Sequence, residues 1–214
     1  MQRDVRDESI KNKIFVASDV MEFDYDYDFQ KRSKQITAVL YGTYHNLIPA
    51  KNILSCLLTN FDRIIFITDN HSGYLKSLIK SIGKRREIEF LGWDNNKNFD
   101  IISSAHLSVI LYRNKIEANY KSCNRTLISL FCGTPVVSMF NPQVESLYKH
   151  KSQDLFICKT VNDFDSQIKQ ALERSHSMTR AERSALREFG KHCEYGAERA
   201  LVGWNRIFHN VAKA

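Results

Sequence analysis

Apolar positions recur along this chain in two alternating rhythms. Six short apolar runs read as strands: Ile36–Tyr41, Arg63–Thr68, Glu87–Leu91, Leu107–Tyr112, Pro135–Phe140 and Leu155–Cys158. The run Pro-Val-Val-Ser-Met-Phe140 is apolar on both faces, as a parallel strand covered by helices must be. Between the strands the spacing turns helical. Ile53, Leu54, Leu57 and Leu58 mark a helix over Ala50–Thr59, and Tyr74–Ile82 follows the second strand. Shorter helices are expected over Phe99–Ser104 and Val144–Tyr148, and a longer one over Asp163–Glu173. From Thr179 to Ala212 the chain reads as helix with a break near Tyr195-Gly196.

Strands separated by helices imply successive right-handed βαβ units. The expected fold is therefore α/β: a doubly wound, Rossmann-like parallel sheet of six strands with a helical C-terminal tail. Ligands of such sheets bind outside the carboxyl ends of the strands, which selects the loops after Tyr41, Thr68, Leu91, Tyr112 and Phe140. The division expected is an N-terminal tail and linker over 1–35, the sheet domain over 36–178, and C-terminal helices over 179–214 packing on it. Residues 1–13 are charged and read as frayed, and Lys13–Ala17 reads as a short strand. Glu22-Phe-Asp-Tyr-Asp-Tyr-Asp-Phe29 reads as a connector with aromatic anchors; an edge strand or an acidic metal site is the lesser alternative.

Composition narrows the class. A chain of 214 residues with 43% hydrophobic content and three prolines buries one good core. No apolar run reaches the roughly 18–20 residues that span a bilayer, and the N-terminus has no hydrophobic signal core. Five cysteines, an odd number with no Cys-x-x-Cys pair, point to a reduced cytoplasm rather than to zinc or a disulfide framework. The net charge of +7 admits nucleotides or an anionic membrane surface as partners. No nucleic-acid recognition motif accompanies it. Lys169, Arg174, Arg180, Arg183, Arg187 and Lys191 carry much of the excess and read as a solvated helix surface.

One stretch carries most of the chemistry: Lys121-Ser-Cys-Asn-Arg-Thr-Leu-Ile-Ser-Leu-Phe-Cys-Gly-Thr-Pro-Val-Val137. Ser122 is expected to cap a helix that Gly133 ends in a left-handed turn and Pro135 forbids to continue. The order polar loop, helix, Gly-Thr-Pro-Val-Val resembles the donor-nucleotide segment of GT-B glycosyltransferases of the group 1, family 4-like kind. The resemblance extends from about Ile36 to Trp204 and implies the C-terminal, nucleotide-sugar-binding lobe of such an enzyme. It places Gly42 and Thr43 in the glycine turn after the first strand and Lys51 as a cation for donor phosphates. It places Phe90-Leu-Gly92 in the loop against the nucleobase, with Trp93 offering a stacking face. Ser122, Asn124 and Arg125, at a helix start that favours anions, fall against the diphosphate.

The resemblance breaks at one point. Many retaining members carry two glutamates on the donor loop and helix, where this chain has Tyr120 and Ile128. Neither accepts a ribose hydroxyl as a carboxylate does. Lys121, Ser122, Asn124 and Arg125 stand there instead, and no catalytic residue is assigned. The resemblance thus implies a glycosyltransferase, or its donor-binding half, using a nucleotide-diphosphate sugar without a metal or other cofactor. The acceptor would be a saccharide or lipid-linked glycan, reached through a separate acceptor lobe or at the inner membrane face. A non-catalytic nucleotide-binding or scaffold module that kept the fold is the alternative, and a response-regulator-like domain a more distant one.

Overall fold

A computed structural model describes residues 29–68, 87–113, 121–151 and 153–192. The strand expected over 13–17, most of the acidic connector, the helix over 74–82 and the chain from 193 lie outside the described residues. Six strands form one sheet: β1 (Thr37–Tyr41), β2 (Arg63–Ile67), β3 (Glu87–Leu91), β4 (Leu107–Ile110), β5 (Val136–Met139) and β6 (Leu155–Cys158). Their order is β3-β2-β1-β4-β5-β6 and every pairing is parallel. This is the doubly wound α/β arrangement that the alternation of strands and helices implies.

The described helices are α1 (Tyr44–Leu47), α2 (Ala50–Asn60), α3 (Asn95–Ser104), α4 (Asn124–Phe131), α5 (Pro142–Lys151), α6 (Phe164–Ser177) and α7 (Arg180–His192). Successive side chains of a strand point to opposite faces, so each central strand feeds two cores. Val39, Tyr41, Ile65, Ile110 and Val136 pack on one face with Ile102, Leu127, Leu130, Val144 and Leu186. Ala38, Leu40, Ile64, Phe66 and Val137 pack on the other with Ile53, Leu57, Phe164 and Ile168. Helices α2 and α6 therefore cover one face, and α3, α4, α5 and α7 the other.

Boundaries differ from expectation where side chains act on the backbone. Helix α3 starts four residues earlier than its apolar spacing shows, because Asp94 Oδ1 accepts the Lys97 N–H at 3.3 Å. Helix α5 starts at Pro142, because Asn141 Oδ1 accepts from the Gln143 and Val144 amides at 2.8 and 3.2 Å. The short helix α1 in the turn after Gly42 has no counterpart in the apolar pattern.

The C-terminal end of α4 is a Schellman turn. Gly133 adopts φ +66°, its N–H reaches Leu130 O at 2.9 Å, and the Thr134 N–H reaches Ser129 O at 3.0 Å. A Cβ on Gly133 would lie 2.9 Å from the Phe29 ring and 3.0 Å from Arg183 Cβ, so the close approach also demands glycine. Thr179 and Glu182 form the expected capping box: Thr179 N–H donates to Glu182 Oε2 at 2.7 Å and Glu182 N–H to Thr179 Oγ1 at 3.2 Å.

The expected solvated surface of basic helices is corrected in part. Arg183 is 8% exposed, and Arg187 turns inward with its guanidinium 4.1 Å from the Phe29 ring centre and Nε 3.4 Å from Phe131 O. Arg183 Nε reaches Gly133 O at 3.1 Å and Nη2 reaches Ser103 O at 2.6 Å. Arg174 lies between Asp154 and Glu182, at 2.9 and 2.7 Å. Carbonyls at the ends of α3 and α4 need donors, and these long cationic side chains supply them while their stems fill the gap between helices.

Candidate functional site at the strand ends

Strand β1 is flanked by β2 and β4, and the sheet grows outward from it in both directions. The switch in winding falls between β1 and β4, so a crevice forms outside their carboxyl ends. Three segments meet there: Tyr41-Gly42-Thr43 after β1, Leu111-Tyr112 after β4, and the first turn of α4.

Arg125, in that first turn, is the centre of the arrangement. Its Nη1 donates to Tyr41 O at 3.1 Å and its Nη2 to Leu111 O at 2.8 Å. The guanidinium carbon stands 5.0 Å from the centre of the Tyr112 ring. One side chain thus ties together the two strand ends that border the crevice. Gly42, with φ +139°, makes room for it, since a Cβ there would sit 3.0 Å from Nη1. Burial lowers the Arg125 pKa, and Tyr112 and Tyr41 act in the opposite sense. Among the described residues no carboxylate pairs with it. It therefore holds a positive charge against neutral carbonyls and aromatic faces.

Tyr41 and Tyr112 are the residues that sequence reasoning missed here. The Tyr41 hydroxyl donates to the Arg125 carbonyl and lies 2.8 Å from Ser129 Oγ, which locks α4 onto β1. Burial raises its pKa far above the ordinary phenol range, and burial pushes Tyr112 up to about 12. The Tyr112 hydroxyl is buried beside the hydroxyls of Ser138 and Thr126, which act to lower its pKa against the larger effect of burial. A signal existed: both strand ends read apolar-Leu-Tyr, as Val39-Leu-Tyr41 and Ile110-Leu-Tyr112.

Ser122 does not cap the helix. The capping position falls on Cys123, which makes no side-chain cap, and α4 begins at Asn124. The preceding loop is held from outside instead: Cys123 N–H donates to Gln143 Oε1 at 3.0 Å, and Asn141 Nδ2 donates to Lys121 O at 3.0 Å. A buried thiol at the cap leaves the first-turn N–H groups of α4 without a side-chain oxygen. Ser122 and Asn124 are half-buried beside them.

The other expected site residues lie on the same edge of the sheet. Thr43 Oγ1 accepts from Asn46 Nδ2 at 3.0 Å and is exposed. Lys51 is exposed in the first turn of α2, whose start lies on the carboxyl-end side because α2 runs back toward the beginning of β2. Gly92 follows β3 and has open space where a Cβ would stand. Trp93 is 43% exposed, and its ring centre lies 6.1 Å from that of Tyr41. The indole thus reaches from the edge strand back toward the switch point. Among the described residues no three His, Cys, Asp or Glu side chains are grouped as metal ligands.

No protein-family model and no curated sequence matches the chain. Solved structures do share its architecture. WaaG, a glycosyltransferase involved in lipopolysaccharide biosynthesis, superposes with a TM-score of 0.60 at 11% identity, over 80% of this chain and 47% of its own. A variant of TarM from S. aureus, in complex with fondaparinux, alpha-GlcNAc-glycerol and UDP, gives 0.60 at 13% identity, over 94% and 41%. This is the fold of a GT-B glycosyltransferase lobe. Sucrose-phosphate synthase from Thermosynechococcus elongatus agrees, at 0.59 and 13% identity, over 83% of the lobe and 46% of its own chain. The chain spans less than half of each of these longer proteins. None of the lobe's described helices is long and apolar enough to cross a membrane.

Proposed function

We propose that the chain binds the donor of a glycosyltransferase reaction, a nucleotide-diphosphate sugar, in the crevice between the ends of β1 and β4. The observation that carries this reading is Arg125, a half-buried guanidinium at the switch point whose partners among the described residues are all neutral. Two of its five N–H groups are engaged with carbonyls, and three remain for an anion. A diphosphate lying across the first turn of α4 would meet that cation and the unpaired N–H groups of the helix start together. Lys51 approaches from α2 as a mobile point charge. Trp93 supplies an exposed face for the base, beside Gly92, which leaves the approach open. When the glycosidic bond breaks, negative charge grows on the diphosphate, and these fixed donors stabilise it without further reorganisation. The acceptor is a saccharide or lipid-linked glycan brought by an acceptor lobe, and the reaction belongs to the cytoplasmic side of a membrane.

A non-catalytic module is the second reading, and Ile128 favours it. A glutamate would stand there in many retaining members, yet Ile128 packs against the core beside β1 and β4. Calorimetry with UDP, GDP and ADP tests the proposal, using exposed positions so that the fold is untouched. One of the three should bind, Trp93→Ala should weaken it by about 1–3 kcal/mol as a stacking contact is lost, and Lys51→Ala should weaken it by less. Absence of binding by all three would reject the donor reading and leave the scaffold reading.

A further inference from the structure

The loop that leads into α4 is fixed by side chains from the segment after β5. Asn141 Nδ2 donates to Lys121 O at 3.0 Å, and Gln143 Oε1 accepts the Cys123 N–H at 3.0 Å. These two bonds grip the peptide units on either side of Ser122, and a planar peptide held at its oxygen or its N–H has little freedom left. Cys123 passes the position on, because its carbonyl accepts the Leu127 N–H at 3.0 Å and so opens the hydrogen-bond ladder of α4. Asn141 is itself fixed. It is fully buried, and its Oδ1 takes the Gln143 and Val144 amides at 2.8 and 3.2 Å, which starts α5. One side-chain amide therefore ties the beginning of α5 to the loop before α4.

A cap drawn from the helix's own N-cap residue would fix the same loop differently. A serine or aspartate there places its oxygen on the N–H groups of the first turn. In α4 the N-cap is Cys123, whose side chain makes no such bond. The hold falls instead on the Cys123 N–H, which precedes the first turn. The entry to α4 is thus set without occupying the donors that the first turn presents. Asn124 and Arg125 lie on that turn, and Ser122 stands between the two gripped peptides. Such an arrangement suits a helix start that must be rigid and yet open to an anion.

We infer that Asn141 and Gln143 are positioning residues for the donor diphosphate: they set the Ser122 peptides and the first turn of α4 in the bound arrangement before the ligand arrives. This role rests on the donor reading above and adds two residues that need touch no part of the ligand. Preorganisation is the source of the effect. A loop already ordered by the fold loses less conformational entropy on binding, so more of the contact energy appears as affinity. In the same reading only the diphosphate half of the donor meets this loop, while the base lies against Trp93 after β3. Loss of the hold should therefore weaken the diphosphate and spare the nucleoside.

The test uses the full chain with Gln143→Met, which keeps the reach of the side chain and removes the oxygen that the Cys123 N–H meets. Gln143 is half-buried and Asn141 fully buried, so the fold tolerates this variant better than a change at Asn141. Whichever of UDP, GDP and ADP the parent binds is compared with its matching nucleoside, by calorimetry for the nucleotide and by the Trp93 indole N–H signal for the nucleoside. The diphosphate should bind about three- to tenfold more weakly, as for one lost hydrogen bond, and the nucleoside as in the parent. In the unliganded chain, hydrogen exchange at the Cys123 amide should quicken in Gln143→Met. It should slow again in Gln143→Glu, which restores an oxygen. A diphosphate affinity equal to the parent's, or equal losses for diphosphate and nucleoside, would overturn the positioning role. So would an unchanged Cys123 exchange rate. A parent that binds none of the three nucleotides would defeat the donor reading and this role with it, and that outcome is recognised before any variant is made.

Discussion

A planar guanidinium can reach two carbonyls on different strands at once, and Arg125 does so where the sheet changes its winding direction. Lysine has no such fork. Arg125→Lys should therefore keep the charge yet lose one of the two bonds, costing about 1.5–3 kcal/mol of stability in urea melts. Gly42→Ala should act on the same contact from the other side. Its φ of +139° and a Cβ 3.0 Å from Nη1 would strain the turn and displace the guanidinium, at a cost of roughly 1–3 kcal/mol. Equal stability of both variants with the parent, by the same melts, would show that the brace carries no load. Residue types at this site were legible in the sequence: Gly42, Arg125 and Trp93 all stand on the predicted edge. What Arg125 touches was not, because its carbonyl partners are backbone groups brought together only by the parallel pairing of β1 with β4. Ser122 was misread for a related reason. Its cap was inferred from local chemistry, whereas Gln143 and Asn141, about twenty residues away, hold the loop.

Elements whose limits are set by apolar period were readable, and those set by side-chain caps less so. The six strands and the helix over residues 50–60 follow from burial on one or two faces. The early starts of α3 and α5 depend on Asp94 and Asn141, polar residues that precede the apolar repeat. Helix α7 shows both kinds of information together. Its capping box was visible as Thr-Arg-Ala-Glu, but its inward-facing arginines were hidden, since a period of charges looks the same whether it meets water or carbonyls. Glu182 joins the two: it accepts the Thr179 N–H, and Arg174 lies 2.7 Å away. The Thr179 backbone bond first, then Arg174 and the Thr179 hydroxyl, bring its pKa from 4.5 down to about 2. A carboxyl depressed in the folded state binds more protons when unfolded, so stability rises with pH between those values. This contribution is present above pH 4.5 and is lost as pH falls toward 2. Melting temperatures measured across that window should fall less steeply for Glu182→Gln than for the parent, and parallel curves would contradict the assignment.

On the scale of the molecule, the sheet separates two cationic centres, Arg125 at the strand ends and the Arg32–Arg183 pair at the strand beginnings. Among the described residues Arg125 and Arg32 sit against neutral carbonyls, so part of the positive charge is built into the fold as well as spread over its surface. Neither centre exists in the unfolded chain, because each is assembled from segments far apart in sequence. A ligand that needs the assembled crevice must therefore stabilise the whole lobe by mass action. At a hundred times its Kd, a nucleoside diphosphate would add about 2.7 kcal/mol. For a chain of this size that corresponds to a rise in melting temperature of roughly 5–10 °C. Scanning calorimetry of the chain with each nucleotide reads this directly, and the rise should follow the logarithm of concentration above Kd. A nucleotide that binds by titration calorimetry without raising the melting temperature would be binding unfolded chain as well as folded. It would then have no claim to the crevice that Arg125 closes.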